Sequence, residues 1–287
     1  MKIPRLFTAL QVLALSISIG TSEALAANPK ENVGLQLYSL RDAFAKDVPG
    51  TLDKVKAMGF TNVELAGTYG LTAKQFKAEL DARGLKAVSA HFPFDSFRTN
   101  LDGVVSDAKI FGLKYVGCAW IPHTGDTFSE TTCREAIEVF NKSGEALAKQ
   151  GIQFFYHTHG YEFQPLGKGT LFDLLMQKTN PKFVSLEMDV FWIAHAGQDP
   201  VKLLDQYGKR WQLMHLKGMK ETTPTGLLTG HSDVTNNVPL GSGKIDYAPI
   251  LNHAKKAGAK WFIIEDESPI AEEQIPQSLR YLETVKW

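Results

Sequence analysis

Cysteine is nearly absent: Cys118 and Cys133 are the only two in 287 residues. Neither belongs to a Cys-x-x-Cys or Cys/His spacing, which removes zinc-ribbon and thiol-redox readings. No histidine arrangement near either one points to a thiol nucleophile. The pair could form one bridge in an oxidising compartment. Cys118 ends an apolar strand-like run and Cys133 sits in a helix-like segment, so both are read as unpaired. An excess of charge is missing as well, with Lys+Arg and Asp+Glu at 31 each. A neutral chain without basic clusters carries no electrostatic footprint for nucleic acid, and no nucleic-acid partner is expected. Phosphate loops are missing too: Gly241-Ser242-Gly243-Lys244 has neither the spacing nor the following Ser or Thr. Beyond the first 26 residues no apolar run is long enough to span a bilayer.

Those first residues form a unit of their own. Lys2 and Arg5 precede an apolar stretch from Leu6 to about Ile19, and Ala24-Leu25-Ala26 closes it with small residues. Basic start, short apolar core and A-x-A exit are the marks of a secretory signal peptide. The core of about 14 residues is too short for a membrane anchor. Residues 1–26 are therefore read as a signal peptide and 27–287 as the mature chain. The expected location is periplasmic or extracellular, with no membrane association after cleavage. Oligomeric state is left open.

The remaining sequence alternates short β-like runs with helical stretches. The runs are residues 33–38, 62–65, 86–91, 114–119, 152–157, 183–188, 212–216 and 261–265. Helical periodicity falls at 51–58, 72–83, 129–150 and 247–257, each followed by a glycine. A glycine just past a helix can take the left-handed conformation that satisfies the last carbonyls. Helix, glycine, one or two residues, apolar strand recurs at Met58-Gly59-Phe60, Arg83-Gly84-Leu85, Phe111-Gly112-Leu113, Gln150-Gly151-Ile152 and Ala257-Gly258-Ala259. Eight such units in about 260 residues predict a single α/β domain, a (β/α)8 TIM barrel. An open doubly wound sheet would carry a glycine-rich loop after its first strand, where Leu37-Tyr38-Ser39-Leu40-Arg41 stands instead. The one long connection is 217–244, after the seventh strand.

Barrel chemistry sits where strands end. Here the ends read Glu64, His91, His157 with His159, Glu187 with Asp189, His215, and Glu265 with Asp266 and Glu267. A single strand-end carboxylate is commonly structural, but ends that converge on one face form a site by geometry. Oxygen and imidazole donors without thiolate suit a divalent ion, with Mn²⁺ the first choice and Co²⁺, Mg²⁺ or Zn²⁺ possible. Strand alternation puts Glu187 and Asp189 on one side, so either could point inward. The same period aims His215 and Lys217 into one cavity, where Lys217 could hold a substrate oxygen or a developing enolate. In Tyr156-His157-Thr158-His159-Gly160-Tyr161-Glu162 both histidines can face the site, and Glu162 could fold back over the ion. Trp120 is read as an apolar wall for a sugar face. His123, His195, His231 and His253 are read as structural or surface residues.

These motifs resemble the sugar phosphate isomerase/epimerase family of xylose isomerase-like TIM barrels, and within it the exported members. The resemblance runs from Gly34-Leu35-Gln36-Leu37-Tyr38 through Val63-Glu64-Leu65-Ala66-Gly67, Ser89-Ala90-His91, Tyr156-His157-Thr158-His159, Glu187-Met188-Asp189, His215-Leu216-Lys217 and Ile264-Glu265. It implies a metal site of glutamate, aspartate, histidine and glutamate from strands five to eight. Asp189, His215 and Glu265 match the last three positions. At the first the chain has His157, with Glu162 five residues on, so either could complete the shell. The resemblance further implies proton abstraction beside a carbonyl of a small sugar-like substrate, with Glu265 or Glu162 as base and Lys217 assisting. Glu64, His91, Trp120, His157 and His159 would face that substrate. Isomerisation or epimerisation is the leading outcome; elimination from a 3-keto sugar and a non-catalytic sugar-binding barrel are the alternatives.

Overall fold

The computed structural model describes residues 29–287, so the signal peptide expected over 1–26 lies outside the described residues. Eight strands form one closed sheet: β1 (Val33–Gln36), β2 (Asn62–Leu65), β3 (Lys86–His91), β4 (Tyr115–Cys118), β5 (Gln153–His157), β6 (Val184–Asp189), β7 (Trp211–Leu216) and β8 (Trp261–Ile264). Each pairs in parallel with the next, and Val33 lies opposite Phe262 to close β8 onto β1. This is the (β/α)8 barrel that the alternation predicts.

Local chemistry starts and stops the helices where expected. Asp47 caps Val48–Ala57, with Pro49 in its first turn. Thr72 and Gln75 form a capping box on Ala73–Ala82. Gly258 takes a left-handed conformation, φ 96°, to end Tyr247–Ala257. The outward sides of the strands carry Leu35, Val63, Val116, Phe154, Leu186, Met214 and Ile264, which pack under Leu52, Phe76, Phe140 and Leu251 of the helices. Burying each such side chain contributes roughly 1.5–3 kcal/mol. Cys118 and Cys133 are free and buried.

Inside the barrel, Phe155, Leu213 and Ile263 are buried two residues before His157, His215 and Glu265. Alternation therefore makes them an apolar floor beneath a polar layer. Gly117 is part of that floor, since a Cβ there would stand 2.2 Å from the ring of Phe155. β1 ends two residues earlier than the apolar run suggests. The Tyr38 amide donates to Gln36 Oε1 at 3.1 Å, and Leu37–Leu40 turns into a 3-10 helix. In the connection after β7, Gly218–Met219 pairs antiparallel with Asn237–Val238 and brings residues 230–237 over the barrel mouth.

Candidate metal centre and cavity

Parallel register places His157 beside Glu187 and Asp189 beside His215. Glu265 follows β8 directly, its amide bonded to the Leu216 carbonyl. Two sets of donor atoms result, each set within 4.8 Å: Asp189, His215 and Glu265 form one, His91, His157, Glu187 and His215 the other. His215 Nδ1 is 3.2 Å from Glu265 Oε2 and 4.0 Å from Asp189 Oδ2, while His157 Nε2 is 3.8 Å from Asp189 Oδ2.

The opposite ring nitrogens meet other carboxylates. His215 Nε2 is 2.6 Å from Glu64 Oε1, and His157 Nδ1 is 2.8 Å from Glu187 Oε2. His91 Nε2 also reaches Glu187 Oε2, at 2.8 Å, and Gln36 Nε2 donates to Glu64 Oε1 at 2.8 Å.

Burial sets the electrostatics. It opposes the charge on Glu64, but the imidazoles of His91 and His215 outweigh it and hold this carboxyl below its ordinary value. At Glu187, burial and then the Glu64 charge push the carboxyl up to about 7. Asp189 also rises to about 7, through burial first and then Glu265, against the pull of Lys217. Burial of Glu265 is overcome by Lys217 and His215, which keep it ionised. His215 is held protonated by Glu187, Glu64 and Glu265 despite burial. His157 is driven well below its ordinary value by burial and then by the neighbouring His215. Burial and Lys217 bring His159 down to about 3.

The residues present fit a divalent cation. Asp189 Oδ2 is buried without a hydrogen-bond partner, as are Glu64 Oε2 and Glu187 Oε1. An unpartnered buried carboxylate oxygen is costly, and a cation among Asp189, His215 and Glu265 would satisfy that of Asp189. These are oxygen and imidazole donors, as hard and borderline divalent ions require.

Above this layer lies a cavity of about 550 Å³. His91, His157, His159, Lys217, Glu265 and Glu267 line its depth, and Trp120, Trp192, Tyr38, His231 and Asn237 its outer walls. Lys217 Nζ is 3.4 Å from Glu265 Oε2, is paired with Glu267, and stands 5.2 Å over the Trp192 ring. The T-shaped contact of Trp120 with His159, at 5.2 Å, links the aromatic wall to the histidine pair.

Two sequence expectations need correction. Glu162 does not fold over the His157 cluster. Gly160, at φ 88°, turns the chain off the strand end, and a Cβ there would lie 2.8 Å from the Trp192 carbonyl. Glu162 is thereby buried on the helix side, accepting from the Tyr156 hydroxyl and the His159 amide. Between the two candidates for the first position, the structure brings His157 to the cluster and Glu162 away from it. Glu64 does not line the cavity: it is wholly buried below it. His231 is exposed, as expected of a surface residue, and also lines the mouth, 5.3 Å from Trp120.

Glu187 and Asp189, left as alternatives by alternation, both face inward because residues two apart share a face. Gln36 had escaped notice although it too is a polar strand end. Trp192 and His231 come from segments with no strand-end signal.

Fold and site together define a TIM barrel with a carboxylate–imidazole centre at its C-terminal mouth. The chain belongs to the xylose isomerase-like TIM barrel family, whose model matches residues 52–285. It is 26% identical over 244 residues to an inosose dehydratase of Geobacillus thermodenitrificans, covering 75% of this chain and 80% of that one. Among solved structures, a sugar phosphate isomerase/epimerase from Parabacteroides distasonis superposes with a TM-score of 0.73 at 24% identity, covering 95% of this chain and 100% of that one. The IOLI protein, whose structure has a bound zinc atom, superposes with a TM-score of 0.68 at 14% identity, over 88% of this chain and 97% of that one. Likeness to these two structures establishes the fold alone.

Proposed function

We propose that this protein is a divalent-metal-dependent lyase that removes water from a small cyclic polyhydroxy ketone, an inosose or keto sugar. The observation that carries the reading is the placement of bases around the cavity. Glu265 and Glu267 follow β8 on one side, both paired with Lys217. β4 lies diametrically across the barrel, and that wall offers Trp120 and, from β5, His159. An imidazole pushed down to about 3 carries no extra proton to return at neutral pH. Two-base epimerisation needs a proton carrier on both faces of one carbon; Glu162 is held outside the barrel, and the proton on His91 Nε2 is engaged by Glu187 and Glu64. Elimination needs only one.

In this reading Glu265 takes the proton beside the substrate carbonyl and delivers it to the neighbouring hydroxyl, which leaves as water as the carbon–carbon double bond forms. The Lys217 ammonium stays charged and steadies the oxygen on which negative charge develops. His157, Asp189, His215 and Glu265 would hold the ion, which when bound polarises the substrate carbonyl. Mn²⁺ is our first choice, and Co²⁺, Mg²⁺ and Zn²⁺ also suit the donor set. Trp120 supplies an apolar face for the ring. The relative named inosose dehydratase supports this outcome over isomerisation, which shares the first step. An exported location is part of the proposal and is checked by cell fractionation.

The test is a panel of inososes and keto sugars incubated with the Mn²⁺-loaded protein in deuterated water, with products weighed by mass spectrometry. Loss of one water, abolished by Glu265→Gln, is the expected result. Products that keep all the substrate's oxygens and gain mass only by solvent deuterium would establish isomerisation instead, and neither water loss nor exchange with any member would remove proton abstraction altogether.

A further inference from the structure

Beneath the donors that would hold the ion, Glu64 and Glu187 are fully buried and touch no part of the cavity. The proposed reaction uses neither of them. Burying a carboxylate is expensive unless its oxygens are claimed by donors. Each accepts most closely, among the candidate metal-binding histidines, from one ring: Glu187 Oε2 from His157 Nδ1 at 2.8 Å, Glu64 Oε1 from His215 Nε2 at 2.6 Å.

A carboxylate accepts, so the facing nitrogen of each ring carries the proton. The shorter contacts, 2.8 Å against 3.8 Å at His157 and 2.6 Å against 3.2 Å at His215, keep one proton on the Glu187 and Glu64 side. When an ion takes the place of the other proton, the lone pair it meets is that of His157 Nε2 and His215 Nδ1. Those are the two nitrogens that point at Asp189 and Glu265, at 3.8 Å and 3.2 Å. Had either ring been turned over, its proton would face the cation site and its lone pair a carboxylate.

The two acidic residues are themselves held. His91 Nε2 lies 2.8 Å from Glu187 Oε2 and 3.2 Å from Glu64 Oε1, and so ties the pair together. Gln36 Nε2 donates to Glu64 and lies 3.4 Å from His91 Nδ1, which its proton-free side can accept. Gln36, Glu64, His91 and Glu187 thus form one chain from β1 to β6 in which every donor has an acceptor.

We infer that Glu64 and Glu187 are positioning residues: each fixes the tautomer and orientation of one metal-binding histidine, Glu64 that of His215 and Glu187 that of His157. The inference rests on the metal reading of the proposed function and adds to it a role for residues below the cavity. Outer carboxylates of this kind typically strengthen metal binding 10–100-fold by raising imidazole basicity and fixing the ring. A rival arrangement uses the same atoms: a second cation among His91, His157, Glu187 and His215. It would need the carboxylates and the same nitrogens as ligands, so the two arrangements exclude each other.

The experiment is Co²⁺ titration of the wild type, Glu64→Gln and Glu187→Gln, following stoichiometry, dissociation constant and the visible absorption of bound Co²⁺, with melting of the metal-free proteins alongside. Expected are one ion per chain, a Kd raised about 10–100-fold in each variant, a shifted absorption band, and metal-free melting that is unchanged or higher. Unchanged Kd and spectrum in both variants, or two ions per wild-type chain, would overturn the inference. A wild type that binds no Co²⁺ overturns the metal reading itself and this inference with it. Should a variant fail to fold, nitrogen-15 shifts of the zinc-loaded wild type decide the matter. Metal on His157 Nε2 and His215 Nδ1 supports the assignment, and the reversed nitrogens refute it.

Discussion

The hydroxyl of Tyr156 donates to the carboxylate of Glu162 on the helix side of β5, while the next residue, His157, faces the barrel axis. One peptide unit therefore separates the tyrosine that holds a buried structural carboxylate from a candidate metal ligand. Burial pushes Glu162 up, against the hydrogen bonds from Tyr156 and the His159 amide. Glu162→Gln keeps the shape and the accepting oxygen, so activity should stay within about threefold of the wild type. Glu162→Ala leaves the His159 amide unpartnered and the Tyr156 hydroxyl with Tyr161 alone, and should cost about 1–3 kcal/mol in urea unfolding. A hundredfold loss of kcat in the Gln variant would return Glu162 to the reaction.

Lys217 is the buried cation between Glu265 and Glu267, and those two charges with Asp189 hold it protonated despite burial. Replacing it with Met should lower kcat about 10²–10³-fold, the scale of losing one charge-stabilising donor. The buried carboxylate of Glu265 would keep His215 but lose the Lys217 charge, at up to about 3–5 kcal/mol. Steady-state kinetics and thermal melting with metal bound separate the two effects. Full kcat in Lys217→Met would contradict the assigned role.

Ion binding should release protons. Asp189, pushed up to about 7 chiefly by burial, and His215, held protonated by its acidic neighbours, must both lose a proton to act as ligands. The sign follows: lower pH keeps both protonated and weakens binding. Affinity for Mn²⁺ should rise by about tenfold or more from pH 6 to pH 7. Calorimetry in two buffers of different ionisation enthalpy counts the released protons, and a pH-independent affinity with no buffer effect would refute the assignment.

Trp120 stands apart from the donor cluster, against His159 and Tyr161. Trp120→Ala should raise KM about tenfold, the worth of one aromatic contact of roughly 1–1.5 kcal/mol, and leave kcat within a factor of about two. A kcat loss with unchanged KM would place Trp120 in the chemical step.

Much of this was legible without coordinates. The alternation of apolar runs with glycine-ended helices determined eight strands, and the strand-end residues Asp189, His215 and Glu265 marked the centre, because a parallel barrel brings all C-terminal strand ends to one mouth. The same logic could have drawn in Gln36. Period-two alternation tells which residues share a face, and this put Glu187 with Asp189. It does not tell which way the chain leaves the strand. That was decided by the left-handed turn at Gly160, which sent Glu162 outward under the helices. Nor does alternation give depth along the barrel axis, which separates Glu64, sealed below the cavity, from His91 at its wall. His231 and Trp192 reach the mouth from a long connection and a short helix. Only three-dimensional packing decides where such segments lie, since no periodic pattern ties them to a strand end.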